Sequence, residues 1–305
     1  MTRVAICIVN WNGKKDTLEC LASIDKLVHP DTEISVIVVD NGSTDNSASV
    51  IKYKFSKTVV IKLSENTGFT GGNNAGIEHA MRHNADFIWL LNNDTVVDKN
   101  ALINLLDEVD KSGGGVFGSK IYFFKGREFH HDRYVEGERG KVIWFAGGRI
   151  DWQNMYASHR GVDEVDHGQF DKQEQTPFVT GCSMFVKREV FDAIGLLDPK
   201  YFAYLEDLDF CLKAGRAGFS LWYVPLSLVW HKNAGSTGRP GNEFHEYYFT
   251  RNRLLIGMRF APLRTKIALF RQGLGFIMSG PAIRRRAILD ALFFRFGKQF
   301  VWIKT

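Results

Sequence analysis

Phe87-Ile88-Trp89-Leu90-Leu91-Asn92-Asn93-Asp94-Thr95 runs from five apolar residues straight into a small polar cluster containing a carboxylate. A short apolar run bounded by turn formers reads as a buried strand. A parallel α/β sheet delivers such a cluster to the crevice at the carboxyl ends of its strands, where ligands bind. Asp94 is therefore a candidate metal ligand, and a strand-ending Asx turn is the plain alternative.

Working outward, β-rich runs alternate with helical stretches. Residues 4–9 read as a strand and residues 14–26 as a helix with Leu18, Leu21 and Ile24 inward. Residues 34–39 are apolar enough for a strand buried on both faces, ending at Asp40-Asn41-Gly42-Ser43-Thr44-Asp45. Further strands are expected at 59–63 and 87–91, with a helix including 76–83. This order predicts a mostly parallel, right-handed, doubly wound sheet. Residues 126–175 break the pattern and read as insert loops with a short hairpin around 144–150. Order returns at 178–186, followed by helices over 188–194 and from Glu206 to Gly215 or Gly218. The last fifty residues read as helical, with Ile288, Leu289, Leu292, Phe293 and Phe296 at helical spacing.

The chain has 305 residues, 45% of them hydrophobic, which is enough for a sizeable core. Cys7, Cys20, Cys182 and Cys211 sit in apolar surroundings without Cys-x-x-Cys spacing and read as buried free thiols of a reducing compartment. Neither a leader pattern nor an apolar run of about 18 residues is expected from the sequence, so a cytoplasmic location follows. The net charge of +5 hides an asymmetry: 12 of the 39 Lys and Arg, but only one of the 34 acids, Asp290, fall in 251–305. A basic tail of this kind suggests an anionic surface nearby. It carries no nucleic-acid motif, and its basic residues interleave with an apolar face, so nucleic acid is not expected as a partner.

Several polar clusters have a chemical reading and a plain one. Asp40 at a strand end can accept hydrogen bonds from a nucleobase or ribose, or it can cap the next helix. Asn66-Thr67-Gly68-Phe69-Thr70-Gly71-Gly72-Asn73-Asn74-Ala75-Gly76 lacks the Lys of a phosphate loop and lies too late for a dinucleotide fingerprint. Its glycines would let the backbone approach a nucleotide, with Asn73 or Asn74 reading polar edges; a turn and helix cap is the alternative. Glu206-Asp207-Leu208-Asp209 opens a helix, where acids suit the macrodipole. Three acids exceed what capping requires, and one can serve as a base. His231, just past an apolar strand, is either a satisfied core histidine or a metal ligand. His130 and His131 read as solvated loop residues.

Taken together, these pieces resemble the inverting, GT-A-type glycosyltransferases of family 2, especially the rhamnosyltransferase-like branch. The matching segments are Ile8-Val9-Asn10-Trp11-Asn12-Gly13, Val38 through Asp45, Asn66 through Gly76 and Leu91-Asn92-Asn93-Asp94. Thr180-Gly181-Cys182, Gly195-Leu196-Leu197-Asp198, Tyr204-Leu205-Glu206-Asp207-Leu208-Asp209 and Trp230-His231 follow in family order.

The resemblance implies an α/β GT-A fold with a mixed sheet and a C-terminal helical extension. It divides the chain into a catalytic domain, 1–250, and a basic amphipathic tail, 251–305. Within the former, 1–115 would bind the nucleotide sugar and 116–250 the acceptor. Asp207 would be the general base, with Glu206 and Asp209 in support. Asp94 and His231 would hold Mg or Mn, Asn92 replacing the first Asp of the family's Asp-x-Asp motif. Asn10, Asn12, Asp40, Asn66, Asn74, Asn93 and Gly181 would bind the donor. Tyr248, Arg251 and Asn252 resemble the branch's Tyr-x-x-Arg-Asn segment, which implies a diphosphate contact for Arg251. The expected substrates are a dTDP- or UDP-linked sugar, plausibly rhamnose, and a saccharide or lipid-linked saccharide acceptor, as in cell-surface polysaccharide or lipopolysaccharide synthesis. The tail could lie on the inner face of the cytoplasmic membrane or pack in a homodimer. A nucleotide-sugar-binding protein without turnover is the alternative, and the intact acids at 94, 207 and 209 argue against it.

Overall fold

The computed structural model describes residues 1–233 and 241–299. Residues 234–240 of the expected acceptor half and 300–305 of the expected tail lie outside the described residues. The first half alternates as expected: β1 (Thr2–Asn10), α1 (Lys14–Ile24), β2 (Thr32–Asn41), α2 (Ser47–Lys54), β3 (Val59–Leu63), α3 (Gly68–Arg82), β4 (Phe87–Asn92). A short β5 (Thr95–Val97), α4 (Ala101–Ser112) and β6 (Val116–Phe123) follow. The insert contributes β7 (Ile143–Phe145), β8 (Gly148–Asp151), β9 (Tyr156–His159) and β10 (Glu174–Gln175). Then come β11 (Ser183–Lys187), α5 (Arg188–Ile194), α6 (Glu206–Arg216), β12 (Leu221–His231), α7 (Glu243–Phe260), α8 (Leu263–Ser279) and α9 (Ala282–Leu292).

The main sheet runs β10-β12-β6-β11-β4-β1-β2-β3, and it is mixed. β3, β2, β1 and β4 are parallel, β11 is antiparallel to both β4 and β6, and β12 is parallel to β6. The chain moves outward from β1 to β3, then returns to place β4 on the other side of β1. That reversal is a topological switch point, outside which the ligand crevice of an open α/β sheet lies. Register fixes what faces it: Asn10 pairs with Asp40, and Val9 with Asn92. Because β11 is antiparallel, its start lies beside the end of β4, with Ser183 opposite Leu91. The end of β12 joins the same rim, His231 lying opposite Phe123 and Thr95.

The interior is built from the β-branched and aromatic runs of these strands, with Trp89 fully buried at the centre. Its indole Nε1 donates to Ser183 Oγ at 3.0 Å, and Ser119 links Ser183 to Ser227 at 2.9 and 2.8 Å. This hydroxyl chain satisfies polar atoms that burial would otherwise penalise.

Two expectations are corrected. Residues 144–150 do not fold back on themselves: β7 joins β6 in the main sheet, and the hairpin is β8 against β9. Gly147, at φ +99°, turns the chain between the two, and Asp151 accepts from the backbone N–H of Gln153 and Asn154 to close the hairpin. The boundary at 250/251 falls inside α7, one continuous helix whose N-cap, Asn242, accepts from His245 N at 2.8 Å. Leu254, Ile256, Leu269 and Ile288 belong to the main core, so α7 to α9 pack on the body of the protein.

Candidate active site

The nucleotide side of the crevice is built from asparagine side chains that brace the backbone. Asn10, fully buried, donates to Asp40 Oδ1 at 2.9 Å and to Ser43 Oγ at 3.1 Å, while its own oxygen accepts from Thr17 Oγ1 at 2.8 Å. Asn12, at φ +50°, accepts from Thr44 N at 2.8 Å. These bonds hold the 43–45 loop open beside Asp40, which is itself buried at the strand end. Asp40 does not cap α2, whose preceding turn is closed by Asp45 accepting from Ser47 N. Asn41 bridges the next loop. It donates to Gly68 O at 2.9 Å and Asn66 Oδ1 at 3.2 Å, and it accepts from Thr67 N and Oγ1 at 2.9 Å each. Gly68 has φ +77°, and a Cβ there would stand 2.3 Å from Phe202 O.

Asp94 and His231 meet at the centre of the rim. His231 Nε2 lies 3.1 Å from Asp94 Oδ1, and the carbonyl of Asp94 accepts from Lys232 N at 2.9 Å. Among the described residues, His231 Nδ1 is buried without a hydrogen-bond partner. Trp144 packs edge-on to His231 with ring centroids 4.6 Å apart, and His159 backs it at 4.3 Å. Burial lowers the His159 pKa to about 4, so it stands there neutral. Lys232 reaches Asp16 at 2.8 Å and Glu19 at 2.5 Å on α1. Burial works against its charge, but the two carboxylates hold its pKa above the usual lysine value.

The base candidate lies in the first turn of α6. Asp207 Oδ2 accepts from Gly181 N at 2.9 Å and Oδ1 from Leu208 N at 2.8 Å, and Thr180 adds a side-chain hydrogen bond. Burial raises its pKa above the usual carboxylate value, partly offset by those bonds. Asp207 is half-buried, so solvent still reaches it. Glu206 is buried, with Oε2 unpaired among the described residues; burial first, then the charge of Asp207, pushes its pKa well up. A short link joins this turn to the end of β4. Gly181 holds Asp207, and the next residue, Cys182, accepts Asn92 N at 3.0 Å beside Asp94. The thiol of Cys182 is raised by burial and then by both carboxylates, Asp94 and Asp207.

Not every candidate reaches the crevice. Arg251 is fully buried, its guanidinium spent on the carbonyls of Gly297, Lys200 and Tyr201 and on Asn252 Oδ1. Asn74 uses both amide atoms on the backbone of Leu197 and reads no ligand edge. Asp209 is buried in ion pairs with Arg259 at 2.8 Å and Lys213 at 2.6 Å and accepts from Tyr201 at 2.9 Å, which leaves it no catalytic access. Asn93 donates to Thr17 Oγ1 at 3.0 Å at the crevice edge. Sequence reasoning passed over Asn41, Trp144 and Lys232. Asn41 carried a signal, since it lies beside Asp40 at the strand end; Trp144 carried none, because the insert hides its register.

The site can be tested for a divalent cation. Two donors, a carboxylate and an imidazole, stand 3.1 Å apart at the rim, close enough for one ion with bonds of about 2.0–2.6 Å to reach both. Among the described residues no third His, Cys, Asp or Glu completes a cage. Such a pair fits an ion that shares its shell with a bound ligand and water rather than a permanent structural ion.

Known proteins share the sequence and the fold. The chain is 26% identical over 219 residues to an N-acetylglucosaminyl-diphospho-decaprenol L-rhamnosyltransferase of Mycobacterium tuberculosis, covering 68% of this chain and 69% of that one. It is 22% identical over 253 residues to the low-salt glycan biosynthesis hexosyltransferase Agl10 of Haloferax volcanii, covering 83% and 74%. Among solved structures, GalNAc-T7 with UDP, GalNAc and Mn2+ superposes with a TM-score of 0.62 at 16% identity, over 85% of this chain and 52% of that one. The mannosyltransferase PcManGT from Pyrobaculum calidifontis, in complex with GDP-Man and Mn2+, gives 0.57 at 16% identity, over 95% and 74%. The fold is GT-A. Residues 2–271 match the model described as glycosyltransferase-like family 2, and the protein belongs to that family of glycosyltransferases.

Proposed function

We propose that the protein transfers a sugar from a nucleoside diphosphate donor to an acceptor hydroxyl with inversion at the anomeric carbon. The observation that carries this reading is the Gly181-Cys182 turn, which ties Asp207 to the end of β4, two residues before Asp94. Asp207 takes the acceptor proton, and the oxygen then attacks from the face opposite the diphosphate. One base suffices, because no covalent intermediate needs to be resolved. Hydrogen bonds from Gly181, Leu208 and Thr180 orient the carboxylate while its pKa stays above that of a solvated aspartate. Asp40, fixed by Asn10, is the acceptor for the nucleobase or ribose, and the loop at Asn66 to Gly68 lets backbone approach the donor.

Asp94 and His231 would hold Mg or Mn with the diphosphate, and the ion would supply charge neutralisation for the leaving group. Lys232, pinned by Asp16 and Glu19, keeps the end of β12 against α1. The name of the M. tuberculosis relative makes rhamnose the first sugar to test and a saccharide carried on a lipid diphosphate the first acceptor; the donor proposed is a dTDP- or UDP-linked sugar. Trp144, beside His231, is the aromatic surface available to a sugar ring. A thermal-shift screen of nucleotide sugars with Mn, followed by product analysis of the best binder, tests the reading. Stabilisation by a nucleoside diphosphate sugar together with an inverted glycosidic product is expected. Donor hydrolysis without transfer to any hydroxyl acceptor would overturn it.

A further inference from the structure

The outer side of α8 carries an apolar ridge that its packing does not require. Leu263, Ile267, Phe270, Leu274 and Met278 are between 42% and 82% exposed. At the α-helical repeat they fall within an arc of about 80°. The residues that seat the helix, Thr265, Leu269, Gly273 and Phe276, lie on a different side. Leu269 comes against Gly257 of α7, and Gly273 against Ile288 of α9. One apolar face is therefore used by the protein, and the other is turned to solvent. A continuous strip along four turns differs from the single exposed apolar residues that any surface carries.

The charge around the ridge selects its partner. α8 contains no acid, and exposed Arg264 and Arg271 lie beside the strip. The one acid of 251–305, Asp290, is buried and accepts from Tyr247 Oη at 2.6 Å. An apolar strip on a helix without acids, bordered by arginines, is the chemistry of a bilayer interface. A second copy of this basic surface would be repelled. Among the described residues no helix is long and apolar enough to cross a membrane.

We propose that α8 lies in the plane of an anionic bilayer, its ridge sunk to the acyl boundary and Arg264 and Arg271 at the headgroup phosphates. The contact has a fixed bearing on the crevice. Arg253 of α7 donates to Asn154 O and to Gln272 Oε1, tying α8 to the β8–β9 hairpin. The other end of that hairpin, His159, backs Trp144 beside His231. Use of the contact for a lipid-borne acceptor rests on the transferase reading; the contact itself does not.

The test is flotation of the full chain with phosphatidylcholine vesicles, with and without phosphatidylglycerol. The protein should float with the anionic vesicles and not with the neutral ones, and less as salt is raised. The outward-facing triple variant Ile267→Gln, Phe270→Gln, Leu274→Gln should lose at least about tenfold in partitioning at unchanged melting temperature. Arg264→Gln and Arg271→Gln should each lose about fivefold. A triple variant that floats like the native chain, or a native chain that floats with neither vesicle, would overturn the proposal. So would light scattering that shows a dimer lost in the triple variant, which would make the ridge a self-association surface. Flotation by a protein without transferase activity would leave the docking intact and reject only the catalytic reading.

Discussion

Gly181 donates its backbone N–H to Asp207 Oδ2 at 2.9 Å, and this bond orients the one carboxylate of the 206–209 cluster that solvent still reaches. Its neighbours have other duties: Glu206 is buried and driven toward its neutral form, and Asp209 is locked to Arg259 and Lys213. Substitution should separate the three. Asp207→Asn should lose about 10²–10⁴-fold in kcat while donor binding survives. Glu206→Gln replaces a neutral acid with a neutral amide of the same shape and should stay within about threefold of native turnover. Asp209→Asn should lower the melting temperature by weakening the pairs with Arg259 and Lys213, which keep Asp198 as partner, a loss of about 1–2 kcal/mol. Native-like kcat in Asp207→Asn would reject the base assignment.

The pH dependence follows from burial of Asp207. Its folded pKa is raised, so the proton is held to higher pH than on a solvated aspartate. The base works only when ionised, and kcat should therefore rise with pH through a limb lying above the usual value of about 3.9. The stability effect has the opposite sign. Between the unfolded and folded pKa values the folded state keeps a proton that the unfolded state has released, so stability present at low pH is lost as pH rises. Parallel kcat and melting profiles would show activity gained as stability falls. An acid limb at or below the ordinary aspartate value would contradict the geometry.

Asp94 and His231 should act as a pair. Donor affinity measured by calorimetry in Mn should fall more than about tenfold in Asp94→Ala and in His231→Ala, toward the affinity seen with chelator. The double variant should be little worse than either single one, since each already empties the shared position. Metal-independent donor affinity in the native protein would remove the ion from the reading.

Gly68 is a position where one methyl group has a defined cost. Its φ of +77° disfavours an L side chain, and the new Cβ would meet the carbonyl oxygen of Phe202 at 2.3 Å. Gly68→Ala should destabilise by about 2 kcal/mol and raise the donor KM, because the loop at 66–68 and the segment before α6 must move apart. Unchanged KM in a folded Gly68→Ala protein would show that the loop does not meet the donor.

The legible part of the molecule was what periodicity and turn chemistry encode. The strand ends at Asp40 and Asp94, the helix at Glu206 and the parallel β1–β4 core all have local signals in residues 4–94 and 206–216. What was not legible depends on long-range partners. Nothing near Arg251 in sequence says that its guanidinium ends on the carbonyls of Lys200 and Tyr201. An Arg in a recurring motif reads as a ligand contact until the packing shows it buried. Asn74 misleads similarly, since its partner Leu197 lies 123 residues away. The insert gave up its strands only through pairing, because the short runs at 143–145 and 148–151 have no amphipathic pattern long enough to detect.

Arg251 and Asn252 thereby acquire a positioning role that can be measured. Phe202, Tyr204 and Leu205, immediately before α6, have φ of +64°, +69° and +70°, a left-handed conformation that costs about 1–2 kcal/mol per residue. Asn252 Nδ2 donates to the carbonyls of Tyr201, Ala203 and Tyr204 at 2.8–3.0 Å, and Arg251 donates to those of Lys200 and Tyr201 at 2.9 Å. These bonds offset the strain and fix where the first turn of α6 presents Asp207. Asn252→Ala should lower kcat at least about tenfold and shift the acid limb, with donor Kd unchanged, because only the base wall moves. Arg251→Lys keeps the charge but loses the fork that reaches several carbonyls, and it should show the same split in milder form while remaining folded. If kcat and donor affinity fell together in both variants, the pair would be a general support of the fold rather than a clamp on the base.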